Sequence, residues 1–215
     1  MKETIIYVLI IEFIGILRLA NLYKKVNFAL MKRKVIIFSA PSGSGKSTVV
    51  NHLLAKCPQL ELSISATSRP PRGSERDGVE YYFLSNEEFG RRIANDEFVE
   101  YEQVYKGVYY GTLKSELERI WAKGHIIAFD VDVKGGVHLK QILGDDALSV
   151  FIQAPSVEVL RERLVKRGTD SQEAIEERVA KAAEEMQYAP QFDYVLVNDK
   201  LDVCLKEAET LLDQY

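Results

Sequence analysis

From Lys34 onward, short apolar runs alternate with longer amphipathic stretches. Residues 35–38, 126–129, 148–152 and 194–197 are short runs rich in β-branched and aromatic side chains. Runs of that length and composition predict strands buried on both faces. Residues 47–56, 113–123, 157–166 and 201–212 instead place apolar positions three and four apart, the spacing of amphipathic helices. Strand–helix alternation predicts an α/β fold with a mostly parallel sheet flanked by helices. Two stretches break the rhythm. Residues 65–112 are rich in Tyr, Arg, Gly and Glu and are read as a substrate-binding insertion, and the charged, helical residues 157–188 as a mobile lid. Repeats and low-complexity tracts are lacking.

The beginning of the chain follows a different pattern. Residues 5–11 form an unbroken apolar run that continues through Phe13, Ile14, Ile16 and Leu17, with Glu12 in its middle and Arg18 after it. A carboxylate near the centre of a membrane span costs roughly 2–4 kcal/mol, and the low-charge stretch falls short of the ~18 residues a span needs. Only Lys2 precedes the run, while Lys24, Lys25, Lys32, Arg33 and Lys34 follow it, the reverse of a signal peptide. Two readings stand: a weak anchor with its C-terminal side in the cytoplasm, or a natural start at Met31 that makes the preceding segment dispensable. Residues 1–30 are therefore set apart as a hydrophobic extension, and residues 31–215 are expected to form the domain.

Composition narrows the function. The net charge is −4 with no block of Lys and Arg, unlike a general nucleic-acid binder, which must neutralise many phosphates. Any positive field has to be local. Cys57 and Cys204 lie far apart, and His52, His125 and His138 lack metal-ligand spacing, so neither a disulfide framework nor a zinc site is expected. A reducing, cytoplasmic setting is the default, without membrane attachment of the domain itself.

The first chemical signal is APSGSGKS at residues 40–47, close to the phosphate-binding pattern G-x-x-x-x-G-K-[ST] but with Ala40 in place of the first glycine. Across Ala40, Pro41, Ser42, Gly43, Ser44, Gly45, Lys46, Ser47 and Thr48, the mechanism survives that change. Backbone N–H groups from Gly43 to Thr48 can wrap a β-phosphate, Lys46 can reach the β/γ oxygens, and Ser47 can ligate Mg²⁺. The helix that follows adds its positive end. Ala40 can keep its methyl if its φ is negative. A phosphoryl transfer from a nucleoside triphosphate is the implied reaction.

The remainder of the chain resembles the guanylate kinase family. The motifs are SATSRPPR at 65–72, GVEYYF at 78–83, Glu100, YYGT at 109–112, DVD at 130–132, Arg167-Gly168 and VND at 197–199, in the family's order across residues 34–213. The resemblance implies a P-loop nucleoside-monophosphate kinase fold with a GMP-binding insertion (65–115), a helical lid (157–188) and a core of 31–64, 116–156 and 189–215. It implies ATP and GMP as substrates, Mg²⁺ as cofactor, and GMP contacts from Ser65, Arg69, Arg72, Tyr81, Glu100, Tyr110, Thr112, Asp130 and Asp132. Asp130 and Ser47 are expected near the metal. Arg163, Arg167 and Arg178 are the candidate lid cations, and Asn198 is expected beside the adenine or the loop that supports it.

The residue types suit that chemistry. Guanidinium forks such as those of Arg69 and Arg72 pair bidentately with phosphate oxygens. A carboxylate at Glu100 can accept from guanine N1–H and N2–H₂, while the Ser65 and Thr112 hydroxyls can satisfy O6. Adenine would set a lone pair against that carboxylate and leave it unpaired. Two rivals remain: a kinase for another monophosphate, and a non-catalytic interaction module of similar fold, against which the Gly45-Lys46-Ser47 sequence argues. Lys134 stands where the family commonly has Gln, and an extra residue between Glu100 and Tyr110 is expected to lengthen a hairpin loop; neither is expected to touch the chemistry.

Overall fold

A computed structural model describes residues 34–168 and 171–215, apart from the side chains of Tyr105 and Arg167. The expectations placed on residues 1–30 lie outside the described residues. The first apolar run is strand β1 (Val35–Ser39), buried along its whole length. It lies between β7 (Ile126–Val131) and β8 (Ala147–Gln153), parallel to both. Strand β2 (Leu60–Leu62) extends the sheet beyond β7, and β9 (Tyr194–Val197) beyond β8, also parallel, giving the order β2-β7-β1-β8-β9.

Alternation along β1 sends side chains to opposite faces. Ile36 and Phe38 pack with Val50 and Leu53 of α1 (Lys46–Lys56) and with Cys204 and Ala208 of α7 (Leu201–Gln214). Val35 and Ile37 pack with Leu117 and Ile120 of α3 (Lys114–Trp121) and with Leu139 of α4 (Val133–Leu143). Each such side chain contributes about 1.5–3 kcal/mol on burial, which is why a run apolar on both faces settles in the middle of a covered parallel sheet. The expected architecture is thus present. Both cysteines are free thiols, Cys204 within the core.

Helix α4 escapes the sequence pattern because Gly135 and Gly136 fall in its first turn, a poor helix start by propensity. Its cap is Asp132, whose carboxylate accepts from Gly135 N–H at 2.7 Å. Gly136 is required by packing: a Cβ there would collide with the Ser39 side chain of β1.

The tyrosine-rich stretch forms a second sheet in the order β4-β3-β6-β5, from β3 (Ala66–Thr67), β4 (Tyr82–Phe83), β5 (Phe98–Tyr105) and β6 (Val108–Leu113). Helix α2 (Asn86–Ala94) covers it, with Ser85 capping its first turn at Glu88 N–H. Phe89 of α2 stacks on Phe98 at 4.4 Å. The β5–β6 loop is not lengthened. Its tip is Lys106 and Gly107, and the strand register shifts by one between Gln103 and Tyr105. A β-bulge takes up the additional residue, which bends the hairpin without opening its turn.

Glu116 of α3 roots this sheet in the core. It is 2% exposed and accepts from Ile64 N–H (3.0 Å), the Tyr82 hydroxyl (2.8 Å) and Arg119 Nε (2.8 Å). Burial pushes its pKa up, but the Arg119 guanidinium and the other donors outweigh that and hold it below the usual carboxylate value.

Helices α5 (Val157–Arg167) and α6 (Gln172–Glu185) carry a small apolar core of their own, formed by Leu160, Leu164, Ile175 and Val179 with Ala154. Ser156 and Ser171 cap them. None of the described helices is long and apolar enough to cross a membrane.

Candidate active site

Parallel packing of β1, β7 and β8 brings their carboxyl ends to one edge of the sheet, where open α/β sheets bind ligands. The loop leaving β1 turns at Ser44, whose N–H donates to Pro41 O at 3.2 Å. It enters α1 through Gly45 at φ +94°, with Gly43 at φ +87°. These are left-handed conformations that a side chain resists. A Cβ on Gly45 would also run into Asn198 Nδ2, and one on Gly43 would press on Leu164 of α5. Ala40 is not among the described residues with positive φ, so the alanine in place of glycine is accommodated.

Helix α1 has no side-chain cap and no acidic residue in its first turn. Its first N–H groups therefore point, unsatisfied by protein side chains, into a cleft of about 610 Å³. Ser42, Ser47, Asp132, Arg163, Lys181 and Glu185 contribute to the walls. Lys46 reaches across to β7, donating to Val131 O at 2.7 Å and forming an ion pair with Asp130. Asn198 lies under the loop, 6% exposed, and its Nδ2 donates to Ser44 O at 2.9 Å. That places it on the supporting side of the loop.

Of the lid arginines, Arg163 lines the cleft and donates from Nη2 to the Asn198 and Asp199 carbonyls. Arg178 is half-buried on α6, the helix that brings Lys181 and Glu185 to the cleft. The side chain of Arg167 lies outside those described.

On the second sheet, Arg69 is buried, with its guanidinium 5.0 Å from the centre of the Tyr81 ring. Its Nε donates to the Tyr110 hydroxyl at 3.0 Å, and Tyr81 and Tyr110 meet edge to face at 5.8 Å. The sequence-predicted cluster of Arg69, Tyr81 and Tyr110 therefore exists. Arg72 is exposed on the neighbouring turn. The fork of Arg69 is not free, however: it is paired bidentately with Glu75, a residue the sequence reading passed over.

Glu100 and Thr112 are directly opposite on β5 and β6, and the Thr112 hydroxyl donates to Glu100 Oε1 at 2.8 Å. That proton cannot simultaneously serve a guanine O6, which corrects the role expected of Thr112. Ser65, just before β3, is half-buried, and its carbonyl accepts from Tyr82 N–H at 2.9 Å. Burial pushes the Glu100 pKa up, only partly offset by the Thr112 bond and the nearby His138. Glu100 faces a second cleft, of about 320 Å³, lined also by Glu102, Val131, Lys134, Gly135 and His138. Lys134, expected to stand apart from the chemistry, thus borders the cleft, as does His138, for which the sequence suggests no role. No sequence signal marks them, because helix α4 itself is hidden by its glycines.

A family model for guanylate kinase matches residues 32–215. The chain belongs to the guanylate kinase family. It is 56% identical over 182 residues to the guanylate kinase of Bacteroides fragilis, covering 85% of this chain and 89% of that one. Identity to the guanylate kinase of Bacteroides thetaiotaomicron is 59% over 181 residues, covering 84% and 88% of the two chains. The crystal structure of guanylate kinase from Anaplasma phagocytophilum superposes with a TM-score of 0.60 at 29% identity, covering 84% of this chain and 85% of that one. The activity is that of the family: phosphorylation of GMP to GDP at the expense of ATP.

Proposed function

We propose that ATP lies on the loop at 40–48 in the first cleft, and that GMP sets its base beside Glu100 in the second cleft and its phosphate toward Arg69 and Arg72 on the insertion. The observation that carries this reading is their shared wall. Asp132 borders the first cleft, while Val131 and Gly135 border the second, so one turn between β7 and α4 separates them. Two phosphates approaching that turn from either side meet for a direct, in-line transfer, with catalysis resting on positioning and charge stabilisation. The loop amides between Gly43 and Thr48 that have no protein acceptor cradle the β-phosphate, and Lys46 neutralises the β/γ oxygens. Arg69, Arg72, Tyr81 and Tyr110 take the GMP phosphate. Glu100, steadied by the Thr112 hydroxyl, and Ser65 receive the guanine, and Asp132 stands at the turn between the two substrates. Arg163, Arg167 and Arg178 supply lid charge, and Asn198 keeps the loop in place.

The donor set suits Mg²⁺. Ser47 in the first turn of α1 and Asp130 at the end of β7 offer hard oxygens. The described residues contain no group of three or more His, Cys, Asp or Glu able to enclose an ion. Magnesium is a cation that leaves much of its shell to phosphates and water. When bound, it neutralises charge on the transferring phosphates. Chelation by EDTA is expected to stop turnover and excess Mg²⁺ to restore it, with Ser47→Ala requiring more Mg²⁺ for half-maximal rate. Full turnover in EDTA would remove the metal from this account.

We further propose that residues 31–215 are the catalytic unit, with the insertion at 65–115 and the lid at 157–188, and that it works in the cytoplasm. A chain beginning at Met31 is expected to match the full chain in specific activity. A melting temperature lower by several degrees would put part of residues 1–30 into the fold.

A further inference from the structure

Arg69 is 7% exposed, and a guanidinium so enclosed must be paired. Of its five N–H groups, Nε serves Tyr110 (3.0 Å), Nη1 serves Pro70 O (3.0 Å) and Glu75 Oε2 (2.6 Å), and Nη2 serves Glu75 Oε1 (2.8 Å). One Nη2 proton remains. The same Glu75 Oε2 accepts from Arg72 N–H at 2.8 Å, while Glu75 N–H returns to Arg72 O at 3.0 Å. One carboxylate thus fixes the plane of one guanidinium and the backbone from which the second departs. It stays charged across the working pH range, since the Arg69 bond and then the Arg72 N–H hold its pKa at about 2.

We propose that Glu75 is a positioning residue for the phosphate of GMP, setting Arg69 and Arg72 in the geometry that receives it. This rests on reading Arg69 as a phosphate ligand. A fork held edge-on by a carboxylate cannot rotate about its Cδ–Nε bond, so the remaining Nη2 proton has one direction. Tyr110 accepts from Arg69 Nε, so its own hydroxyl proton is left to donate. The aromatic faces of Tyr81 and Phe83, 5.0 and 5.6 Å from the guanidinium, close the other side. Glu75 therefore takes up the fork so that a monodentate Nη2–H, the Tyr110 hydroxyl and Arg72 converge on one point.

Steady-state kinetics of Glu75→Gln, with both substrates varied, tests this. The KM for GMP is expected to rise roughly ten- to a hundred-fold, as for loss of charge-assisted hydrogen bonds, with the KM for ATP unchanged. Competitive inhibition by guanosine, which has the base but no phosphate, should be unaltered. Glu75→Asp, which keeps the charge, should recover part of the loss. Combined with Arg69→Ala, Glu75→Gln should add less than it costs alone, leaving only the part that acts through the Arg72 backbone. A GMP KM unchanged in Glu75→Gln overturns the proposal, and a lowered one overturns it by showing that the carboxylate competes with the phosphate. Parallel losses for ATP and guanosine overturn it in favour of a general structural role. If Arg69→Ala itself leaves GMP binding intact, the phosphate-site reading fails; if only Glu75→Gln does, that reading survives and this proposal alone falls.

Discussion

Lys46→Met is expected to give a folded protein whose turnover is lower by roughly 10³–10⁵-fold, the range for withdrawing a transition-state cation from a phosphoryl-transfer site. The Lys46 side chain is 21% exposed, and its ammonium stands on Val131 O and beside Asp130 at the mouth of the cleft. Methionine keeps the unbranched stem, and the hydrophobic packing of α1 rests on Val49, Val50 and Leu53 rather than on residue 46. Asp130 loses its partner, but it is 29% exposed and stays in contact with water. The fold therefore survives while charge stabilisation is lost. Single-turnover rates together with a thermal melt check both halves. A well-folded variant with near-normal transfer would take Lys46 out of the chemistry.

Glu100→Gln is the second large effect. The carboxylate is proposed to accept from two guanine donors, and an amide can accept with its oxygen alone while its NH₂ opposes the other. Loss of a charged hydrogen bond costs about 1.5–3 kcal/mol, which raises the KM for GMP roughly ten- to a hundred-fold. The KM for ATP should hold, because Glu100 lines the other cleft. Stability should move the opposite way. Burial raises the folded-state pKa of Glu100 above its ordinary 4.5, so the folded state prefers the protonated form. Its contribution to stability is present below 4.5 and is lost as pH rises through the raised folded value. At neutral pH the ionised group is thus a cost, and Glu100→Gln should melt no lower than the parent. Equal damage to the ATP and GMP constants would place Glu100 outside the acceptor pocket.

How much of this could be read from the chain depends on whether the signal is local. Strand β1 and the loop after it are local: four apolar residues, two glycines and a lysine at fixed spacing leave few other conformations. Gly43 and Gly45 belong to that spaced pattern, and both have positive φ. Helix α4 was hidden because the requirement for Gly136 comes from Ser39, about a hundred residues earlier on a neighbouring strand, while local propensity argues against a helix. Asp132 could be read either as a ligand or as the cap of a local turn, and the bond from Gly135 N–H shows the capping role. Glu75 was one carboxylate among 32 acidic residues, and only the burial of Arg69 gives it meaning. The bulge between Gln103 and Tyr105 is a similar case, since length alone does not say whether a residue enlarges a turn or kinks a strand.

On the proposed assignments, the site selects its acceptor by the hydrogen-bond donors of guanine. ADP formation from ATP should therefore be measured with GMP, IMP and AMP in turn, each at several concentrations. IMP keeps N1–H but lacks the N2 amino group, and AMP presents a lone pair at N1. The expected kcat/KM is highest for GMP, lower for IMP by roughly the ten- to hundred-fold worth of one charged hydrogen bond, and lowest for AMP. Comparable values for AMP and GMP would contradict it.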